Sequence, residues 1–373
     1  MNAEDKAKAD KIKNESPVII KKYAERSNIR ASIQCLNTLV PYFVLYYLAM
    51  GSLATSYWLT AVYILFLSLF TVRIFMLMHD AGHLSLFRTK ILNTLSGFFT
   101  GVFVGMPQYV WSQHHNYHHA TNGNWEKYRG PLNILSVAEY QKLSPAKQKS
   151  YCVSKNILLA PLGAFMYFIF NPRFNWIVGS LQFFFGVLAA KLKNFQIPLA
   201  NLIANQKSHY WKSGREYLHM TLNNIALIGI WVAASWHFGA TTFFTVFIIS
   251  LVLAGAVGII IFTIQHNFEG SYASEDKDWD YHLAALKGSS FLTFPKLINW
   301  FGADIAYHHI HHLSARIPNY NLAACHREYA ALFEDVTRIK LGDIAKSFKY
   351  ILWDAKGQRI ISVAQYDQMY PSA

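Results

Sequence analysis

Two pairs of long apolar runs constrain this chain more than any other feature of its sequence. The runs cover residues 33–51, 57–78, 218–238 and 241–264, and the short connection within each pair contains no Lys or Arg. About 20 apolar residues in an α-helix cross the roughly 30 Å hydrocarbon core of a bilayer. The sequence therefore predicts four transmembrane helices arranged as two helical hairpins.

The charge distribution agrees with a membrane protein and predicts its orientation. Only 15% of the residues are charged, against about 25% in ordinary soluble domains. The 34 Lys and Arg residues outnumber the 21 Asp and Glu residues, and they lie in the two termini and the central region rather than in the hairpin connections. The positive-inside rule then predicts that both termini are cytoplasmic, at the inner membrane if the protein is bacterial. This composition excludes a disordered basic tail, and we expect no nucleic-acid partner.

A further apolar run, residues 91–110, is predicted to be re-entrant or to lie along the membrane interface. It separates two histidine clusters, which a single crossing would place on opposite sides of the bilayer. Its glycines, Gly97, Gly101 and Gly105, recur at every fourth position. Such spacing allows one helix face to approach a neighbouring helix closely.

Two more apolar runs, residues 156–170 and 174–192, flank an Asn-Pro-Arg sequence. A full transmembrane hairpin here would make Arg173 the one cation of the outer loops. The positive-inside rule disfavours that arrangement, so we expect interfacial helices.

Three histidine clusters provide the strongest functional signal. They are a pair and two triplets of identical spacing: His79 and His83; His115, His118 and His119; and His308, His311 and His312. Residues three and four apart lie on the same face of a helix, so each cluster can direct its imidazoles to one side. All three clusters fall on the same predicted side of the membrane. We therefore interpret them as ligands of one metal centre.

Eight imidazoles are more than one tetrahedral zinc ion can use, and a two-metal site fits them better. The three cysteines, Cys35, Cys152 and Cys325, are too widely spaced to indicate a disulfide framework, a structural zinc site or an iron–sulfur site. Imidazole binds iron, copper, nickel and zinc, so the ligand type leaves the metal open. A site against apolar helices indicates a lipid-soluble substrate.

Other residues near the clusters are weaker candidates. His266 directly follows the fourth span at the depth of the clusters, and it is interpreted as a ninth ligand or as a helix-capping residue. His114 and His309 fall outside the triplet pattern and are interpreted as supporting or structural, although His114 also precedes His118 by four residues and could replace His115. Metal-bound imidazoles usually donate their other ring N–H to a carboxylate or carbonyl. Three acidic neighbours could accept this bond: Asp80, Glu269 and Asp304. The alternative interpretation is that they are helix caps or solvated charges.

The three clusters resemble the histidine boxes of the membrane fatty acid desaturases. Further segments resemble the bacterial acyl-lipid, omega-6 type branch of that family: 80–83, 111–122, 265–269, 284–290 and 311–320. The resemblance runs from about residue 40 to residue 353. It implies a membrane domain at 31–355, with a basic leader at 1–30 and a C-terminal tail at 356–373.

The resemblance implies an all-α integral membrane protein with two transmembrane hairpins, re-entrant or interfacial helices, and a cytoplasmic cap that carries the histidine boxes. It also implies oxygen-dependent desaturation of a lipid-linked fatty acyl chain, with two Fe ions, O2 as co-substrate and a cis double bond as the product. In the related stearoyl-CoA desaturases an additional imidazole ligand falls where His266 lies, and an asparagine near it acts through a water. Gln265 and Asn267 are the candidates for that supporting role. The metal ligands implied are His79, His83, His115, His118, His119, His266, His308, His311 and His312.

The sequence also leads to expectations about the electron donor and about the reaction product. The sequence has no fused haem segment, no iron–sulfur cysteine set and no dinucleotide-binding fingerprint. A separate ferredoxin or small haem protein is therefore expected as the electron donor. The alternative activity is a di-iron hydroxylase or ketolase that acts on a lipid or carotenoid. A metal transporter is disfavoured, because transporters place their ligands near the bilayer midplane.

Overall fold

The computed structural model describes residues 3–371, which are mostly helical. The first two residues of the expected leader and the last two of the expected tail lie outside this range. The helices are α1 (Ala3–Tyr23), α2 (Asn28–Ser52), α3 (Tyr57–Gly82), α4 (Lys90–Phe103), α5 (Gln108–Thr121), α6 (Val137–Gln141), α7 (Pro145–Ser154), α8 (Ala160–Ala164), α9 (Asn171–Lys193), α10 (Leu199–Asn205), α11 (Gly214–Phe238), α12 (Ala240–His266), α13 (Tyr281–Lys287), α14 (Lys296–Phe301), α15 (His308–Leu313), α16 (Asn319–Glu328), α17 (Ile344–Ser347) and α18 (Val363–Met369). The short strands are β1 (Leu135–Ser136), β2 (Phe291–Leu292), β3 (Arg338–Ile339), β4 (Tyr350–Asp354) and β5 (Arg359–Ser362).

The two predicted transmembrane hairpins are present as α2–α3 and α11–α12. Five helical segments are long and apolar enough to cross a membrane: α2, α3, the stretch Ile157–Lys193, α11 and α12. The all-α membrane architecture expected from the sequence is therefore confirmed. Both α3 and α12 continue past their predicted spans, to Gly82 and His266. His79 and His266 thus belong to the last helical turns, and we call the end of the bundle where they lie the histidine end.

Helices α4 and α5 form a re-entrant pair. At 14 residues each and 1.5 Å per residue, they are about 21 Å long, too short to cross a bilayer. The chain reverses between them at Gly105, whose φ is +71°, a conformation that glycine adopts without strain. The turn lies inside the bundle, where Asn223 of α11 donates to the Met106 carbonyl over 3.2 Å. The re-entrant prediction is correct, and it explains how both histidine clusters reach one end.

The glycine stripe of α4 permits a close approach to α3 and α5. A Cβ atom at Gly97 would lie 3.0 Å from Gln108 and 3.3 Å from Ala81, and one at Gly101 would lie 2.6 Å from the Met106 carbonyl. Larger residues at these positions would push α5, and with it the second histidine cluster, away from α4.

The stretch Ile157–Lys193 is one bent helical segment, whereas the sequence predicts two apolar runs separated at residues 171–173. A π-helical turn spans Phe165–Phe170, and α9 begins directly after it with Pro172 in its first turn. Proline is tolerated there because the first N–H groups of a helix have no intrahelical partner. The helix therefore passes through the predicted break with an irregular turn.

Contacts along this segment show that it enters the bundle and returns. In chain order they join Gly163 to Ile259, Phe168 to Gly255, Arg173 to Asn224, and Ser180 to Tyr217. The first two partners run down α12 away from the histidine end, and the last two run back up α11 toward it. The segment is thus re-entrant, with Phe168–Arg173 as its deepest part, rather than the interfacial pair expected from the sequence.

A cap of short helices covers the histidine end. Helix α1, expected as a polar leader, packs on it through Ile12 and Ile19, which are buried against Ile310 and Leu313 of α15. Lys22 and Tyr23 also bond to the Glu328 carboxylate. Helix α1 therefore shares an apolar cluster with α15 and packs on the neighbouring helices α13 and α16.

Small sheets, absent from the sequence-based expectation, complete the cap. Strand β4 pairs in parallel with β1 and antiparallel with β5, and β2 pairs in parallel with β3. The indoles of Trp125 and Trp353 stack with their ring centroids 4.4 Å apart. Residues from the expected tail supply β5, so that segment is packed into the cap.

Candidate metal centre

The nine histidines predicted as ligands converge into two neighbouring sets. The first set is His79, His83, His115, His119 and His311, and the second set is His118, His266, His308 and His312. Within each set one nitrogen from every residue lies within 4.8 Å of all the others. The structure thus brings together all nine candidates, from segments far apart in the sequence.

Each histidine triplet is divided between the two sets. Helix α5 directs His115 and His119, which are one turn apart, to the first set and His118 to the second. Helix α15 does the reverse, because His308 and His312 belong to the second set and His311 to the first. The spacing reveals that the residues share a helix, but the assignment to a set depends on how α5 and α15 face each other.

Burial favours the neutral form of several imidazoles in the two sets. Burial holds the pKa values of His118, His119 and His311 well below the ordinary histidine range, and the neighbouring imidazoles add to the effect. A neutral imidazole keeps a nitrogen lone pair available for a metal ion. His118, His119 and His311 are therefore favoured in the protonation state that metal binding requires.

Several ring nitrogens in the two sets are buried without a hydrogen-bond partner in the described part of the chain. They are His83 Nε2, His118 Nδ1 and Nε2, His119 Nδ1, His308 Nδ1, His311 Nε2 and His312 Nε2. Buried polar atoms almost always have partners, so a cluster of unpartnered ones needs an explanation. Metal ions bound between the rings would explain the unpartnered nitrogens. A donor set made only of imidazoles suits a transition metal.

Distances between rings support the same conclusion. His308 Nε2 lies 3.0 Å from His266 Nε2, and His115 Nε2 lies 3.1 Å from His119 Nε2. Two nitrogens bound at right angles to one ion, each at about 2.1 Å, are about 3 Å apart. Each set therefore contains a pair of rings whose separation is compatible with a shared metal ion as well as with a hydrogen bond between the rings.

Two histidines of the sets are oriented through one ring nitrogen. His79 Nδ1 lies 2.8 Å from the Asp80 carboxylate, and His266 Nδ1 lies 2.9 Å from the Gly288 carbonyl. Such partners fix the tautomer and the ring plane of a metal ligand. In both residues Nε2 is left to face the set.

Backbone strain occurs next to two of the histidine segments. Leu84, directly after His83, has a φ of +57°, and Ala303 and Asp304, shortly before α15, have φ values of +46° and +57°. Each such residue costs of order 1–3 kcal/mol, and strained positions cluster at functional sites. No sequence signal indicated these turns, because none of the three residues is glycine.

A cavity of about 430 Å³ opens beside the two sets. His79, His115, His118 and His308 contribute to its wall at the histidine end. The remaining wall is mostly apolar and includes Phe75, Met76, Trp111, Tyr167, Phe168, Gly258, Ile259 and Phe262. Its volume is in the usual range for small-molecule sites. The arrangement can place an apolar chain alongside two metal ions.

Comparison with known proteins identifies the family. The fatty acid desaturase family profile matches residues 56–339, more than half of the chain. The chain belongs to the fatty acid desaturase family. It is similar to a fatty acid desaturase of Bacillus subtilis (strain 168), with 32% identity over 341 residues that make up 91% of this chain and 88% of that protein. An omega-6 fatty acid desaturase, chloroplastic, of Arabidopsis thaliana is 22% identical over 256 residues, which are 68% of this chain and 49% of that protein.

The family assignment makes the chain an oxidoreductase with a fatty acyl substrate. This desaturase carries all three histidine clusters inside the matched range. Its cavity, apolar and adjacent to the histidine sets, has the character that an acyl chain needs.

The structure does not bring every predicted supporting residue to the centre of this desaturase. Glu269 was expected to orient a ligand, but its carboxylate accepts bonds from Lys346, Tyr350 and Gln365. The chain turns at Gly270, whose φ is +74°, and carries Glu269 toward the cap. That expectation is corrected: Glu269 ties the end of α12 to the cap instead.

Asp304 also lies apart from the ligands. Within residues 3–371, no hydrogen bond joins its carboxylate to a histidine; burial raises the pKa of this carboxyl, and the nearby charges of Arg73 and Arg327 oppose that rise. The described residues therefore show no contact by which Asp304 would orient a histidine in the way that was expected. Asp304 instead belongs to the strained turn that precedes α15.

The remaining candidates have structural contacts. Gln265 donates to the Ile305 carbonyl over 2.9 Å, and Asn267 donates to the Tyr350 carbonyl over 3.1 Å. Asn267 Oδ1 is buried without a partner in the part of the chain that the structure describes. These amides therefore fix the end of α12 and its connection to the cap.

His114 and His309 belong to neither set. His114 is exposed at the edge of the cavity. His309 Nε2 lies 3.1 Å from His326 Nδ1, on the side of α15 that faces away from the sets. The structure thus places His115, and not His114, with the first set.

Proposed function

We propose that this desaturase holds two iron ions, one in each histidine set, and uses O2 to introduce a cis double bond into a lipid-linked acyl chain in the cavity. One observation carries the proposal. Two largely buried sets of imidazoles, several with unpartnered nitrogens, lie beside an apolar cavity.

The chemistry of the substrate explains why metal ions are needed. A methylene group within an acyl chain has no acidic hydrogen, so side-chain bases and nucleophiles cannot remove its hydrogens. Bound iron would supply the one-electron and oxygen chemistry that breaks such C–H bonds. Two of the four electrons that reduce O2 to water come from the acyl chain, and a donor must supply the other two.

The protein side chains would position the acyl chain and exclude water. Phe75, Trp111 and Phe262 form apolar walls next to the ligands. Trp111 stacks on His115 with ring centroids 4.5 Å apart, which fixes both the wall and a ligand. A dry, rigid site holds the reacting carbons near the metal ions and prevents side reactions with water.

A lipid-linked substrate is supported by the charges around the cavity. Two cations beside the lining segment Gly130–Leu132 are engaged within the protein: Arg129 pairs with Glu139 at 2.8 Å, and Lys155 donates to the Leu132 carbonyl over 2.7 Å. A polyanionic coenzyme A group would need free cations there. Leu158 and Leu162, just before the cavity-lining Gly163, are 81% and 60% exposed. These side chains suit contact with lipid and the entry of a membrane lipid from the bilayer.

The orientation and the electron donor follow from the charge pattern. The hairpin connections carry no Lys or Arg, whereas the chain carries a formal charge of +13. This pattern supports both termini and the histidine end on the cytoplasmic side of a cell membrane. There a separate ferredoxin or small haem protein would deliver electrons to the membrane domain at 31–355.

The experiment is product analysis in a host that lacks polyunsaturated lipids. Total acyl chains are analysed by gas chromatography with mass spectrometry, with and without this chain and a ferredoxin system. We expect a new cis species lighter by two hydrogens. A product that has gained oxygen would instead establish a hydroxylase or ketolase. Metal flux in proteoliposomes without lipid turnover would indicate a transporter.

The carrier of the acyl group is tested with purified protein in vesicles. Phospholipid and acyl-coenzyme A are supplied separately, each with the same labelled acyl chain. We expect label to become desaturated in the phospholipid. Faster turnover of the coenzyme A form would overturn the lipid-linked assignment without affecting the desaturase activity.

A further inference from the structure

We propose that Phe168, held in place by Arg173, is the partition that closes the acyl cavity and sets the position of the double bond relative to the methyl end of the chain. The inference rests on the proposed function, because it assumes that the cavity holds the acyl chain. It concerns the deep part of the re-entrant segment.

Phe168 separates the main cavity from a much smaller void. The void has a volume of about 10 Å³, near the minimum that holds one water molecule. Its wall is apolar apart from Thr71 and includes Val72, Val104, Leu251 and Ala254. Phe75, Met76, Phe168 and Gly258 line both spaces. The main cavity therefore ends at these shared side chains, and only a void of this size lies behind them.

The Phe168 ring is packed closely. It lies against Gly255 of α12, where a Cβ atom would be 2.8 Å from the ring. Its centroid is 5.5 Å from that of Phe75, with the rings nearly perpendicular. The Phe168 ring is thus packed between α3 and α12.

The backbone of Phe168 is held by a buried cation. Arg173 Nη1 donates to the Phe168 carbonyl over 2.6 Å, and Nη2 donates to the Gly105 carbonyl over 2.6 Å. Arg173 Nε also donates to Asn224 over 3.0 Å. A charged side chain inside a membrane bundle is costly and usually serves function. Here it joins both re-entrant segments to α11 at the closed end of the cavity.

The location of the closed end of the cavity determines the position of the double bond, counted from the methyl end of the acyl chain. The methyl end of an acyl chain is its most apolar part and would enter the closed end, while the polar head group stays near the histidine end. Gly258 lies eight residues before His266, about 12 Å along α12. This fixed distance determines which carbons, counted from the methyl end, lie beside the metal ions.

Two substitutions are expected to change the depth of the cavity in opposite directions. A Cβ atom at Gly258 would meet nothing within 4 Å, so Gly258→Leu fills the deep end of the cavity. Phe168→Ala removes the partition and joins the two spaces. Gly229→Leu is the matched control, because Gly229 of α11 also has open space around it and does not line the cavity.

The experiment compares the variants by double-bond position and acyl chain length in the same host. We expect Gly258→Leu to move the double bond toward the methyl end, or to lower turnover of the longest chains by about tenfold. Phe168→Ala should move the bond away from the methyl end. Wild-type bond positions and chain lengths in both variants, as in Gly229→Leu, would overturn the proposal.

Arg173 is tested as a positioning residue by Arg173→Gln. We expect a mixture of double-bond positions from this variant, because Phe168 is no longer fixed. A residue needed only for folding would reduce the amount of protein and leave the bond position unchanged, and that outcome would overturn its role. If the larger changes prevent accumulation, Gly258→Ala and Phe168→Leu test the same shifts. A wild-type protein that desaturates nothing would instead refute the proposed function.

Discussion

The Asp80 carboxylate bridges His79 to a distant part of the chain. One oxygen lies 2.8 Å from His79 Nδ1, and the other accepts the backbone N–H of Asn319 over 2.9 Å. Both side chains are buried. Because Asn319 follows α15, this carboxylate aligns a ligand on α3 with the segment that carries the third histidine cluster.

Loss of this bridge should weaken metal binding. Asp80→Asn keeps the size of the side chain but removes its charge, and loss of such partners usually lowers metal affinity or activity by about 10–100-fold. Iron per protein, measured by mass spectrometry at graded iron concentrations, checks this. Asp367→Asn, an exposed change in α18, is the control. Equal iron affinity in both variants would contradict the orienting role.

Removing one ligand from each set should remove iron from that set first. We expect His311→Ala to deplete the first set and His118→Ala to deplete the second, and each to abolish desaturation, because a single remaining ion cannot replace the pair. The iron content and the acyl products are both measured. His237→Ala, at the opposite end of α11, should retain both. Full activity in either cluster variant would contradict its assignment as a ligand.

Iron removal should lower the stability of the protein as well as its activity. A ligand that binds only the folded state at about 100 times its Kd stabilises that state by about 2.7 kcal/mol. Treatment with a chelator should therefore lower the unfolding temperature in detergent. Zinc should restore much of that stability without restoring turnover, since Zn²⁺ has no redox chemistry. An unfolding temperature unaffected by chelation would argue against metal ions in the sets.

Helix α1 should stabilise the third histidine cluster from behind. Ile19 is fully buried, whereas its neighbour Val18 is 58% exposed. Ile19→Ala should lower the free energy of unfolding by about 2–5 kcal/mol and accelerate iron loss. Val18→Ala should change stability by less than about 0.5 kcal/mol. Iron release from the purified variants, followed with a chromogenic chelator, compares them; equal rates would show that α1 does not support α15.

The sequence predicted the parts of the fold that depend on local chemistry. Apolar length alone identified the two hairpins, because the bilayer sets the length of a spanning helix. The spacing within the histidine clusters identified eight of the nine residues of the two sets, because side chains three and four apart share a helix face. The ninth, His266, was predicted from its position after the fourth span and from the family resemblance. The position of residues 91–110 between two clusters correctly indicated a re-entrant path.

The features that depend on tertiary contacts were not predictable in this way. The division of each triplet between two sets depends on the facing of α5 and α15. The continuous path through Pro172 is accompanied by bonds from Arg173 to Asn224 and to the Gly105 carbonyl, which lie on other segments. Glu269 is three residues from His266, yet the turn at Gly270 directs it to Lys346. Closeness in sequence therefore did not predict closeness in space where the backbone turns between two residues.

The division of the triplets also constrains the order of biosynthesis. Each set needs members of α15, namely His311 for one and His308 with His312 for the other. Neither set can be complete until the ribosome has made nearly the whole chain, after both hairpins have emerged. If the two sets hold iron as proposed, the metal enters a chain whose two hairpins have already emerged from the ribosome. On that proposal, a cell short of iron would accumulate membrane-inserted apoprotein that becomes active when the metal arrives.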